Sequence, residues 1–190
     1  MGNRLQGKRI IITGAANNIG KEAARGFVAE GARVVIGDID AEVGQATATE
    51  LGTEFVRVDV TQEDSVRAFI ELSVQKLGGL DVLVQNAGLQ RSGKVTDFSA
   101  SDWDALFAVN TRAHFFGAKH AVPHLRRAGK GSIINTSSLA GKRGGPGLTA
   151  YSSSKGAVIA FGTALAVELA PEFIQIGRTR TGVRGPAVRH

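Results

Sequence analysis

Five short, unbroken apolar runs, each set against stretches of helical periodicity, restrict this 190-residue chain more than any other feature. Residues 8–13 (KRIIIT), 33–37 (RVVIG), 54–58 (EFVRV), 81–85 (DVLVQ) and 132–136 (SIINT) are continuous rather than alternating, as strands buried on both faces are. Between them, 19–30, 41–51 and 64–77 read as helices, the last with Val66, Phe69, Ile70, Val74 and Leu77 at helical spacing. Ser101 can cap a long helix towards Arg127, in which Pro123 should make a kink or a break. A further helix carries Tyr151 and runs to about Ala170, where Pro171 ends it. Alternating strands and helices with short links make an α/β fold: one doubly wound parallel sheet, covered on both faces, with right-handed crossovers.

Composition narrows the function classes. The chain has the length of one domain, and its 43% hydrophobic content argues against general disorder. It has no cysteine, so disulfides and thiolate metal sites are excluded. No apolar h-region follows the polar N-terminus and no apolar run approaches the ~20 residues of a membrane span, so a cytoplasmic protein without a membrane partner is expected. The net charge of +6 is a tail feature: Arg178, Arg180, Arg184 and Arg189 lie in the last fourteen residues, which hold no acid. A basic tail alone is a weak reason to expect nucleic acid, and none is expected.

In sheets of this kind ligands bind beyond the carboxyl ends of the strands, where the polar clusters fall. The first strand ends in Thr13-Gly14-Ala15-Ala16-Asn17-Asn18-Ile19-Gly20, a turn that can bring backbone close to a pyrophosphate at a helix N-terminus; an ordinary tight turn is the plainer alternative. Asp38, followed by Ile39, ends the second strand, where an acid can bind a ribose 2′-hydroxyl and would repel a 2′-phosphate, favouring NAD over NADP. Asp59-Val60 and Asn86-Ala87-Gly88 end the third and fourth strands and, taken together, line the same crevice, which makes the fold Rossmann-like. Ser138 closes the fifth, thirteen residues before Tyr151, so that a folded-back loop could bring both hydroxyls to one carbonyl oxygen. Tyr151, the only tyrosine, and Lys155 share one helix face. An ammonium near a phenol favours its ionised form, which makes such a pair a proton-transfer device; on its own the pair is more often a surface neighbour.

With these residues in order, the chain resembles the short-chain dehydrogenases/reductases of the classical type over about residues 5–172. The resemblance rests on TGxxxxIG at 13–20, Asp38, Asp59-Val60, the NAG of 86–88, Asn110, Ser138 and the YxxxK of Tyr151 and Lys155. It implies an NAD(P)-dependent enzyme without metal that moves a hydride between a nicotinamide and a secondary alcohol or carbonyl. Tyr151 would then be the general acid/base, Lys155 its aid and a hold on the nicotinamide ribose, Ser138 a donor to the substrate oxygen, and Asn110 the support of a water in a proton relay. It also implies a homodimer or homotetramer, built on the Tyr151 helix and the long helix before it.

The chain departs from the family's pattern in two places. Asn18 stands where glycine is usual; asparagine tolerates left-handed backbone, so the turn is expected to survive. The resemblance implies a further strand after the Tyr151 helix, which residues 173–176 would open, but the chain then reads GRTRTGVRGPAVRH, without the expected continuation. The expectation is therefore a dinucleotide-binding domain over 1–176 with its C-terminal strands incomplete, and a basic, irregular tail over 177–190, as from a truncated or frame-shifted end, with a natural short form as the alternative. The alternative function is a catalytically incomplete remnant that only binds dinucleotide. His114, His120 and His124 are not expected to hold metal, since no further ligand accompanies them in the sequence.

Overall fold

The computed structural model describes residues 3–181. Strand β1 (Arg9–Thr13) leads through helix α1 (Asn18–Ala29) to β2 (Arg33–Asp38), α2 (Ala41–Leu51), β3 (Glu54–Arg57), α3 (Glu63–Leu77) and β4 (Val82–Gln85). Then come α4 (Ala100–Phe107), a π-helical turn (Ala108–Arg112), α5 (Ala113–Arg127), β5 (Gly131–Ser138), α6 (Thr149–Leu169) and β6 (Ile174–Thr181). All pairings are parallel, in the order β3-β2-β1-β4-β5-β6. The order reverses between β1 and β4, which opens a crevice at their carboxyl ends.

Alternation along the strands divides the core. Ile11, Val35, Leu83 and Ile133 face α3, α5 and α6 and pack with Phe69, Leu125 and Leu165. Ile10, Ile12, Val34, Ile36 and Val84 face the other way and pack with Ala24 of α1 and Ala48 of α2. The lower ends of β1 and β4 are locked by a forked ion pair: Arg9 Nε donates to Asp81 Oδ2 at 3.0 Å and Nη2 to Oδ1 at 2.8 Å. The guanidinium holds the Asp81 carboxyl below the usual carboxylate range.

The structure differs from the expectations in four places. Ser99, not Ser101, caps α4, its hydroxyl accepting from Asp102 N at 3.0 Å. The long helix is interrupted not at Pro123, which lies within α5, but at the π-helical turn that contains Asn110. Pro123 is exposed, so the carbonyl it leaves without an N–H partner can turn to water. Strand β6 continues past residue 176 to Thr181, in register with β5 from Gly131↔Ile174 to Ser138↔Thr181. Residues 177–181 therefore belong to the sheet and not to an irregular tail, because strand pairing is made by backbone and needs no apolar run; the remaining tail, 182–190, lies outside the described residues. Finally, α6 and its 3-10 end, Thr149–Glu172, do make a helix long and apolar enough by length and composition to cross a membrane. Here it packs on β5 and β6 and buries Tyr151, Lys155, Val158, Leu165 and Leu169.

Candidate active site

Two turns interlock at the top of β1 and β4. Gly14 has φ +66°, and a Cβ there would sit 2.6 Å from Ala87 Cα, so only glycine lets the turns meet. Thr13 Oγ1 accepts from Asn86 N (3.2 Å) and Ala87 N (3.3 Å), and Asn86 Nδ2 donates to the Gly14 carbonyl (2.8 Å). A Cβ on Gly20 would strike the Gly14 carbonyl and lie 2.6 Å from Asn86 Nδ2. Asn17 caps α1 without a side-chain hydrogen bond, and the first turn carries no acid, so its N–H groups are open to an anion. Asn18 takes φ +48°, the left-handed backbone its position needed, and its Nδ2 donates to Asn17 Oδ1 at 2.8 Å.

Asp38 is tied into this frame. Its Oδ2 accepts from Ala16 N at 3.0 Å and its Oδ1 from Asp40 N at 3.2 Å. Ile39 stands beside it, 57% exposed. Asp59 Oδ1 accepts from the N (2.9 Å) and the hydroxyl (2.7 Å) of Thr61, which shapes the loop that carries Val60.

At the far end, Lys155 is 4% exposed and its Nζ donates to the Thr136 carbonyl at 3.0 Å. Burial pushes its pKa down to about 8. Tyr151, one turn earlier, is also buried, against Leu106 and Ala150. Ser137 Oγ donates to the Lys155 carbonyl at 2.9 Å, which fixes α6 on the end of β5. Ser138 closes that strand, and its Oγ accepts from Ala140 N at 3.2 Å. Asn110 is wholly buried. Its Oδ1 accepts from Leu89 N (2.8 Å), and its Nδ2 donates to the Leu89 carbonyl (2.8 Å) and to Ser154 Oγ (3.0 Å). It clamps the loop after β4 onto α6.

One cleft of about 760 Å³ joins these parts. Its walls include Gly14, Asn17, Asn18, Ile19, Gly20, Asp38, Ile39, Asp59, Val60, Asn86, Ala87, Gly88, Tyr151 and Lys155, which the sequence placed at the cofactor. Ser138 and Asn110 do not line it; Ser138 sits at the end of β5, and Asn110 acts through Leu89 and Ser154. Leu89 and Gln90, from the segment the sequence marks as shaping a substrate pocket, also stand on the walls, whereas sequence reasoning missed Val58, Thr61, Val109 and Thr136. Of the missed residues, Thr136 enters through a backbone carbonyl, which no residue type announces.

His120 has a partner that sequence spacing hid. His120 Nε2 lies 3.1 Å from Glu63 Oε1 of α3, and Lys119 pairs with the same carboxylate at 2.7 Å. Among the described residues no group of three or more His, Cys, Asp or Glu side chains is placed to hold a metal ion.

Known proteins share this fold. The family described as short chain dehydrogenase matches residues 8–188, and the chain belongs to it, an oxidoreductase family with a nicotinamide-cofactor-binding fold. The chain is 38% identical over 185 residues to a 3-alpha-(or 20-beta)-hydroxysteroid dehydrogenase of Mycobacterium tuberculosis, covering 96% of this chain and 71% of that one. It is 35% identical over 185 residues to a cyclopentanol dehydrogenase of Comamonas testosteroni, covering 95% and 74%. Among solved structures, the 3-ketoacyl-(acyl-carrier-protein) reductase of Brucella melitensis complexed with NADH superposes with a TM-score of 0.89 at 32% identity, over 92% of this chain and 74% of that one.

Proposed function

We propose that this chain is an NAD-dependent dehydrogenase or reductase that interconverts a secondary alcohol and its carbonyl compound, with Tyr151 as the proton-transfer group. One observation carries the reading: a buried cation, Lys155, held by the Thr136 carbonyl, shares with Tyr151 the end of a cleft whose other end is a glycine turn and Asp38. A dinucleotide suits this cleft, because the open N–H groups of α1 can take its pyrophosphate and Gly14 and Gly20 keep side chains out of its path. Bound there, the nicotinamide supplies the hydride chemistry that no side chain can. The chain's own residues handle the proton and the geometry. Tyr151 takes the hydroxyl proton in oxidation and returns it in reduction. Lys155 supplies the positive charge a phenolate needs near it and would hold the nicotinamide ribose. Ser138 donates to the substrate oxygen. Asn110 fixes the Leu89 loop, and the second lone pair of its Oδ1 is what its side chain has left for a water. The names of the hydroxysteroid, cyclopentanol and ketoacyl relatives support a ring or chain alcohol as substrate.

Calorimetry with NAD and an absorbance assay over a panel of secondary alcohols test the reading. Turnover is expected; NAD binding without any turnover would leave a chain that only holds dinucleotide, and no binding would overturn the cleft assignment.

Asp38 carries the preference for NAD. Asp38→Asn keeps an acceptor for Ala16 N but removes the charge that opposes a 2′-phosphate. The ratio of NAD to NADP affinity is expected to fall about tenfold or more, that is by about 1.4 kcal/mol. An unchanged ratio would show that Asp38 serves the turn alone.

The chain is further proposed to assemble as a homodimer or homotetramer through α5 and α6. Val167 on α6 and Phe115 on α5 are 76% and 49% exposed, an apolar display that a lone copy leaves in water. Light scattering at about 10 μM should give a multiple of 19.9 kDa; a monomeric mass would refute the assembly.

A further inference from the structure

Beneath the cleft, between the sheet and α3 and α5, lies a second space of about 10 Å³, roughly the room one water needs. Thr13 and Gln85 bound it from the ends of β1 and β4, Phe69 and Ile70 from α3, and His114 and Gly117 from α5. Val60 and Ala87 line both spaces, so this one lies directly under the floor of the cleft.

Its wall is richer in polar capacity than an apolar core tolerates. His114 is 1% exposed, and among the described residues its ring has only the Gln85 and Asn110 backbone near it, neither in the geometry of a full hydrogen bond with a ring nitrogen. Burial, and secondly the charge of Lys155, push its pKa down to about 3 against a smaller pull from the Gln85 and Asn110 backbone. The ring is thus neutral, with one donor and one acceptor nitrogen. An imidazole desolvated in this way without a partner is worse than an aliphatic side chain in its place. Thr13 Oγ1 accepts two backbone N–H groups of the 86–88 turn, which leaves its own proton to give. Gln85 spends both Nε2 protons, on the His114 carbonyl (3.1 Å) and Asn135 Oδ1 (2.9 Å), which turns its Oε1 towards Gly117, where a Cβ would collide with it.

We propose that this space is an internal water site in which His114, Thr13 and Gln85 bind one water, and that through this water His114 positions the 86–88 turn under the dinucleotide. Three bonds suit a buried water: one accepted from the Thr13 hydroxyl, one given to Gln85 Oε1 and one shared with an imidazole nitrogen. With its proton engaged below, the Thr13 hydroxyl presents its lone pairs to Asn86 N and Ala87 N, and Ala87 is held against Gly14. The water site rests on the protein's geometry alone; the positioning role also rests on the cofactor reading of the cleft.

A crystal structure of the full chain at about 1.5 Å should show one water within hydrogen-bonding reach of His114 and Thr13 Oγ1, and clear density with no water there would overturn the site. Two variants then test the role of the ring. His114→Leu should lower Tm and weaken NAD binding about three- to tenfold, the loss of one water-bridged contact, with His114→Gln falling between Leu and wild type. A higher Tm in His114→Leu would overturn the site, since it would mark the imidazole as an unsatisfied burden. The water and the order of Tm values decide the site even if no dinucleotide binds, whereas NAD affinity unchanged in His114→Leu would overturn the positioning role.

Discussion

Replacing Tyr151 by phenylalanine is expected to lower turnover by about 10²–10⁴-fold, the contribution of a positioned acid/base group, and to leave NAD affinity within about twofold. The ring packs against Leu106 and Ala150 in a cluster with Leu89, Phe98 and Ala140, and phenylalanine preserves that packing. The folded state and the cleft walls should therefore persist, and only the hydroxyl is removed. Steady-state absorbance kinetics beside calorimetry separate the two effects. Turnover within tenfold of wild type would remove Tyr151 from the chemistry, and equal losses of binding and turnover would make it a packing residue.

Lys155→Met is expected to abolish measurable turnover while making the protein more stable. An ordinary lysine titrates near 10.5, and burial brings Lys155 down to about 8. Below pH 8 the folded protein carries a buried charge at a cost of about 3 kcal/mol, at about 1.4 kcal/mol per pH unit of depression. Methionine fills similar space without charge. Against this gain, the Thr136 carbonyl loses the Nζ donor, worth about 1 kcal/mol. A net gain of about 2 kcal/mol corresponds to roughly 5 °C in Tm for a chain of this size. The pH dependence has a definite sign. Between pH 8 and 10.5 the unfolded lysine is protonated and the folded one is losing its proton, so wild-type stability rises with pH across this window. In Lys155→Met that rise disappears. Thermal melts from pH 7 to 10 test both points, and a Tm below wild type at pH 7 would contradict the stated cost of the charge.

Much of this architecture is legible in the chain because it is written in side chains. The strands are continuous apolar runs, and Gly14, Asp38 and Asn86 stand at their ends, where a parallel sheet must place its ligand-facing groups. The resemblance added the roles of Ser138 and Asn110. What escaped was written in backbone or across long distances. The π-helical turn leaves no mark in composition, whereas Pro123, a marked residue, proved compatible with an exposed helix face. Ser99 and Ser101 are equally good caps by type, and only the path of the chain into α4 selects between them. Strand β6 extends through Gly177 and Arg178 because β5 offers it a partner. Arg9 and Asp81 lock two strands from positions 72 residues apart, and Glu63 reaches His120 from another helix. The Lys155 anchor is a carbonyl oxygen, the same atom on every residue.

The π-helical turn at Ala108–Arg112 also sets where the chain can tolerate insertions and deletions. A π turn holds about one residue more than an α turn, so everything downstream is rotated by about 100° relative to an uninterrupted helix. Upstream of it, Leu106 points into the cluster around Tyr151; downstream, Phe116 and Leu125 point into the core against the sheet. The five residues work as a phase shifter between two packing surfaces. Deleting a single residue there would leave a more regular helix with the same hydrophobic content, yet its downstream apolar stripe would face more than a quarter of a turn away from the sheet. Outside the turns that line the cleft, the position least forgiving of a length change is thus the middle of a helix, around Asn110.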